Sequence, residues 1–145
     1  MAPAHAAGTS RAFLFALTSE ARTALNRAEA EITTFPFRVG RESRKFESPE
    51  KKALFADKRN PANRPNNDLY LSEDSDLINV SREHFQIVRE AAGFALIDRG
   101  STLGTIVEGQ QVGGDNKGGR SALRDGDVII VGASVSPHVY KFRVR

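Results

Sequence analysis

Ser81-Arg-Glu-His-Phe-Gln-Ile-Val-Arg-Glu-Ala-Ala-Gly-Phe-Ala-Leu-Ile-Asp98 decides how this chain is read. Apolar and polar residues alternate on either side of Glu90-Ala-Ala-Gly93, the two-residue period of half-buried strands. Glu83–Arg89 and Gly93–Ile97 are therefore predicted to form a hairpin closed at Gly93. Upstream, Phe35-Pro-Phe-Arg-Val-Gly-Arg-Glu42 repeats the pattern over Phe35–Val39 and then breaks at Gly40. That glycine is expected to take a turn conformation closed to other residues and to throw Arg41 outward. Downstream, Asp98-Arg-Gly-Ser-Thr-Leu-Gly-Thr105 is a loop of small hydrogen-bonding residues. A hydroxyl at Ser81 with guanidinium forks at Arg41 and Arg82 supplies the groups that grip a phosphate dianion.

The remaining segments extend the same architecture. Ala12–Thr18 reads as a first strand, Asp68–Leu71 as a short one, and Thr105–Glu108 as another ended by Gly109. Gln110–Gly119 reads as a Gly-rich loop, and Leu123-Arg-Asp-Gly-Asp127 as a tight turn in which Asp125 and Asp127 bond the backbone. Val128–Gly132 and Val139–Arg145 complete the set. Ser19–Glu31 is either a short helix capped by Ser19 or an elaborated hairpin arm. Many short strands with Gly/Asp turns at intervals of about ten residues predict an all-β, two-sheet antiparallel β-sandwich. Residues 11–145 are assigned to it, behind a disordered tail of residues 1–10. A basic loop insertion, residues 44–67, follows the Gly40-Arg41 strand.

Composition narrows the chemistry. The chain has 145 residues, enough for a single core. Its nine Phe residues are core fillers with no polar atom to satisfy, so most are expected inside. There is no Cys, which excludes disulfides, thiolate metal sites and a Cys nucleophile, and suits a reducing cytoplasm. A net charge of +3 favours an acidic or phosphorylated partner without arguing for nucleic acid. No apolar run reaches the length of a membrane span, and the start lacks the early positive region of an export signal.

Taken in order, Gly40-Arg41, Ser81-x-x-His84, Asp98-x-x-Ser101-x-x-Gly104-Thr105, Leu123-x-x-Gly126-Asp127 and Ile129-x-x-Gly132 resemble a forkhead-associated (FHA) domain. The resemblance covers about residues 12 to 145. It implies a β-sandwich of FHA/SMAD-like type whose end loops bind phosphothreonine peptides, a non-catalytic adaptor module in cytoplasmic signalling. It further implies that Arg41 pairs with the phosphate, that Ser81 hydrogen-bonds it, and that Arg82 and Thr102 add contacts. His84 would brace the loops from behind, and Gly40 and Gly104 would shape them. The implied partner is a phosphothreonine-containing protein or peptide, with no cofactor and no metal.

Two departures stand out. The family has Asn before the glycine of the third loop, where it holds the peptide backbone; here the residue is Leu103. Each lost neutral hydrogen bond is worth about 0.5–1.5 kcal/mol, so a tenfold weaker affinity would follow. That leaves phosphopeptide binding with altered backbone recognition beside a second reading, a degenerate scaffold that binds a protein independently of phosphate. The other departure is length: thirty-nine residues separate Arg41 from Ser81. The extra piece is basic and would favour acidic flanks on the ligand. Thr9, in the tail, would offer a phosphorylation site able to fold back onto the pocket.

Other chemistries fit less well. Ser81, His84 and Asp98 are the residue types of a hydrolase triad, but no nucleophile elbow accompanies them. His5, His84 and His138 lack metal-ligand spacing, and no phosphate-binding Gly-Lys-Ser/Thr loop exists. For nucleic acid, the insertion offers only Phe46 and Phe55 as stacking residues.

Overall fold

The computed structural model describes residues 10–42, 66–73 and 78–145. The elements run β1 (Ala12–Ala16), α1 (Ser19–Leu25), β2 (Glu29–Ile32), β3 (Phe37–Arg41), β4 (Leu69–Leu71) and β5 (Phe85–Glu90). They continue through β6 (Gly93–Asp98), β7 (Thr105–Val107), β8 (Gln110–Val112), β9 (Gly119–Leu123), β10 (Val128–Val131) and β11 (Val139–Val144). One sheet has six strands in the order β2-β1-β11-β10-β7-β8, and the other has five in the order β4-β3-β5-β6-β9. The two-sheet β-sandwich expected from the strand pattern is present.

One edge departs from it. β3 and β4 pair in parallel, Val39 opposite Leu69 and Arg41 opposite Leu71, while the other pairings are antiparallel. A parallel neighbour needs a connection long enough to return the chain to the start of the previous strand. The long stretch between Arg41 and Leu69 provides it. Most of the basic insertion, the tail with Thr9, and Phe46 and Phe55 lie outside the described residues.

The core follows from alternation. Leu14 on β1, Ile129 and Val131 on β10, and Tyr140 and Phe142 on β11 are buried from one sheet. Val39, Phe85, Ile87, Phe94 and Leu96 meet them from the other. The rings of Phe94 and Phe142 contact edge to face at 5.4 Å, joining the sheets at their centre. Tyr140 is buried, with its hydroxyl donating to the carbonyl of Ala21 at 3.4 Å, and burial pushes the phenol well above its ordinary value. Phe15, by contrast, is 37 % exposed, so not every Phe serves the core.

Local corrections have clear causes. The 19–31 stretch contains both alternatives in sequence, helix α1 followed by β2, which pairs back on β1. The helix is capped by Thr18 and not by Ser19: Thr18 Oγ accepts from the amide of Ala21 at 3.1 Å. Thr18 is free to do so because its backbone is extended, φ −129° and ψ 164°, as an N-cap requires. Gln110–Gly119 is not all loop, since Glu108 and Gly109 both take left-handed φ (47° and 79°). That two-residue turn matches strand twist, so the chain doubles back at once into β8.

Candidate functional site

Gly40 lies within β3 and is absent from the glycines with left-handed φ, so a special turn is not why glycine stands there. Close approach is the reason. A Cβ at this position would collide with the carbonyl oxygen of Arg82 and lie 2.6 Å from Nδ2 of Asn67. The missing side chain lets the loop entering β5 press against β3, with the Arg41 amide bonded to the Ser81 carbonyl at 2.9 Å. The strand thus ends at Arg41, two residues later than the sequence pattern suggested.

His84 fixes the same loop from inside. It is fully buried, Nδ1 accepts from the Ser81 amide at 2.9 Å, and Nε2 lies 2.7 Å from the Gly104 carbonyl. An Nδ1 that accepts leaves the proton on Nε2, which donates to Gly104. One neutral ring thereby ties the second loop to the third. Burial lowers its pKa below the ordinary histidine value, against smaller opposing effects from the Gly104 carbonyl and Asp98.

The third loop is held by its own residues. The Asp98 carboxylate accepts from the amides of Gly100 (2.8 Å) and Ser101 (2.9 Å) and from the Ser101 hydroxyl (2.5 Å). The Ser101 hydroxyl in turn accepts from the Gly104 amide at 3.0 Å. With Asp98 and Ser101 buried, Thr102 and Leu103 are left at the exposed tip. The Thr102 amide donates to Ser81 Oγ at 3.0 Å, which brings the two loops into contact and leaves the Ser81 O–H to donate elsewhere.

These loops open onto a cleft of about 680 Å³ that contains Arg41, Ser81, Arg82 and Thr102 together. Gly100 also borders it, whereas the braces His84 and Gly104 do not. The Arg41 Nε is buried and has no hydrogen-bond acceptor among the described residues. A guanidinium N–H stripped of water and left without an acceptor is costly. A second cavity of about 220 Å³ adjoins the first through Arg41, Ser81 and Thr102, and Ile78, Val80 and Leu103 supply its apolar wall.

Sequence reading missed four further residues that line the cleft, Asn66, Glu83, Arg99 and Asn116. Arg99 donates to Asn67 Oδ1 at 2.5 Å and to the Asn66 carbonyl at 2.9 Å, and the buried Asn67 donates to the Arg82 carbonyl at 2.7 Å. Burial lowers the Arg99 pKa from its ordinary value, and Glu83 opposes the shift. Asn66 and Asn67 looked like loop composition. The signal was that two adjacent carboxamides can satisfy backbone groups as well as terminate strands. Asn116 sits at φ 60°, which asparagine tolerates, with its amide bonded to the Ser101 carbonyl.

The triad residue types do not form a relay. His84 bonds the amide of Ser81 and not its hydroxyl, and Asp98 is committed to its own loop. Among the described residues, no three His, Cys, Asp or Glu side chains gather as a metal site. No helix among them is long and apolar enough to cross a membrane.

The family model for the FHA domain matches residues 37–132. No curated protein matches the chain. Among solved structures, it resembles the kinase-interacting FHA domain of kinase associated protein phosphatase (KAPP) from Arabidopsis. The TM-score is 0.57 at 20% identity, over 93% of each chain. It also resembles the N-terminal FHA domain of S. cerevisiae RAD53P, solved with a phosphothreonine peptide. There the TM-score is 0.53 at 21% identity, over 92% of this chain and 91% of that one. The FHA domain of CT664 protein from Chlamydia trachomatis gives 0.51 at 20% identity, over 92% and 95%. At such identities these likenesses speak to the fold, and the family rests on the model match across most of the chain. The chain belongs to the FHA domain family.

Proposed function

We infer that this domain binds phosphothreonine peptides without catalysis and acts as an adaptor between a phosphorylated protein and its partners. The observation that carries this reading is the cleft that gathers Arg41, Ser81, Arg82 and Thr102, with the Arg41 Nε buried and without an acceptor among the described residues. The peptide-bound RAD53P structure supports it for the same fold. Arg41 and Arg82 would meet the phosphate oxygens, with hydroxyls from Ser81 and Thr102 completing the shell. The niche against Ile78, Val80 and Leu103 would take the threonine methyl and disfavour phosphoserine. Leu103 is the basis of a second reading, a phosphate-independent partner surface, because it offers no hydrogen bond to a peptide backbone and is 39% exposed.

Acidification separates the two. A phosphate monoester regains its second proton around pH 6, so dianion-selective binding should weaken about tenfold between pH 7.5 and 5. Titration of phosphothreonine, phosphoserine and unphosphorylated peptides across that range is the test, and flat, phosphate-indifferent binding would favour the second reading. Fold stability must be followed in parallel. His84 and His138 are both held below their ordinary pKa by burial. The unfolded chain therefore binds these protons more readily. Stability is fully present above about pH 6.5 and declines as pH falls toward the folded-state values. Circular dichroism without ligand isolates that loss.

A further inference from the structure

The cleft is electrically lopsided. At the end shared with the adjoining cavity stand Arg41 and the hydroxyls of Ser81 and Thr102, and no carboxylate among the described residues pairs with the guanidinium. At the other, the Glu83 carboxylate lies 3.7 Å from Arg99 Nη2 and accepts from Asn66 Nδ2 at 3.3 Å. Arg99 spends donors on Asn67 and the Asn66 carbonyl, so it is a wall brace whose charge Glu83 offsets. The Glu83 side chain nevertheless remains 53% exposed and lines the cleft.

We propose that Glu83 sets specificity along the ligand, favouring a basic residue beside the phosphothreonine and rejecting a second phosphate or acidic residue there. This rests on the phosphopeptide reading above and extends it. Counting side chains on the cleft wall, three arginines and one glutamate leave a charge of +2, which one phosphate dianion neutralises. A second anion entering at the Arg99 end meets a half-exposed carboxylate instead of an open guanidinium. A lysine or arginine side chain meets a ready counter-ion. The acidic-flank expectation rests on the basic insertion, most of which lies outside the described residues, and is separate from this preference at Glu83.

The test uses the full chain and a set of phosphothreonine peptides carrying Lys, Asp or a second phosphothreonine at each neighbouring position, read by fluorescence anisotropy. The unmodified protein should prefer Lys to Asp by about three- to tenfold at positions on one flank, a range set by partly exposed charge pairs. Glu83→Gln keeps an acceptor for Asn66 and removes the charge. It should erase that preference, admit the doubly phosphorylated peptide, and tighten the neutral-flanked peptide about twofold. An unchanged Lys-to-Asp ratio in Glu83→Gln would overturn the proposal while leaving phosphopeptide binding intact. Absence of binding to every phosphopeptide, or binding indifferent to Arg41→Ala, would remove the underlying reading and this proposal with it.

Discussion

Arg41→Ala is expected to weaken phosphothreonine-peptide binding by roughly 30- to 1000-fold, the loss seen when one partner of a desolvated charge pair is removed. The size follows from where the guanidinium sits. Its Nε is already buried and lacks an acceptor among the described residues, so part of the desolvation cost is met before the ligand arrives. What remains for the phosphate is a charge-assisted bond to the guanidinium. The fold should tolerate the change, because the structural contact of this residue is its backbone amide, bonded to the Ser81 carbonyl. Calorimetric titration with unfolding temperature as control checks both halves. A loss below threefold would mean that the guanidinium does not meet the anion. Arg41→Lys should fall between the two, since it keeps the charge and loses the fork.

His84→Ala is expected to act on the fold first, lowering stability by about 3–5 kcal/mol and the unfolding temperature by roughly 10–20 °C. The ring is fully buried and bonds two backbone groups, the Ser81 amide and the Gly104 carbonyl. Truncation leaves a cavity and strands both groups without water, each costing about 1–3 kcal/mol unless the loops shift to recover partners. If they shift, Ser81 leaves its place against Thr102 and affinity falls even well below the unfolding transition. Differential scanning calorimetry and a titration at low temperature read the two consequences separately. A drop of under about 3 °C with unchanged affinity would show that the loops hold without the ring.

The strand framework was legible because alternation survives wherever one face of a sheet is buried, as in β5 and β6. Ordered motifs brought Arg41, Ser81, Arg82 and Thr102 to the right neighbourhood, and the structure gathers these four in one cleft. Gly40 was found for the wrong reason. A tight approach by Arg82 and Asn67 is a tertiary fact that no local pattern encodes. The parallel β3–β4 edge escaped for a related cause, since strand direction depends on where a long connection returns. Asn66, Asn67 and Arg99 were invisible as site residues because their roles come from one another: a guanidinium held by a carboxamide that holds a third residue's carbonyl. Glu83 carries no signal of its own in the sequence, since the sign of a side chain on a cleft wall matters only once the opposite wall is known.

Three loops converging on one anion is the claim on which the account depends, and an amide-resolved NMR titration with a phosphothreonine peptide tests it most directly. The account predicts the largest shifts at the amides of Arg41, Ser81, Arg82 and Thr102, together, and no such response to the unphosphorylated peptide. Shifts that leave these positions unmoved, or that are the same without the phosphate, would contradict it.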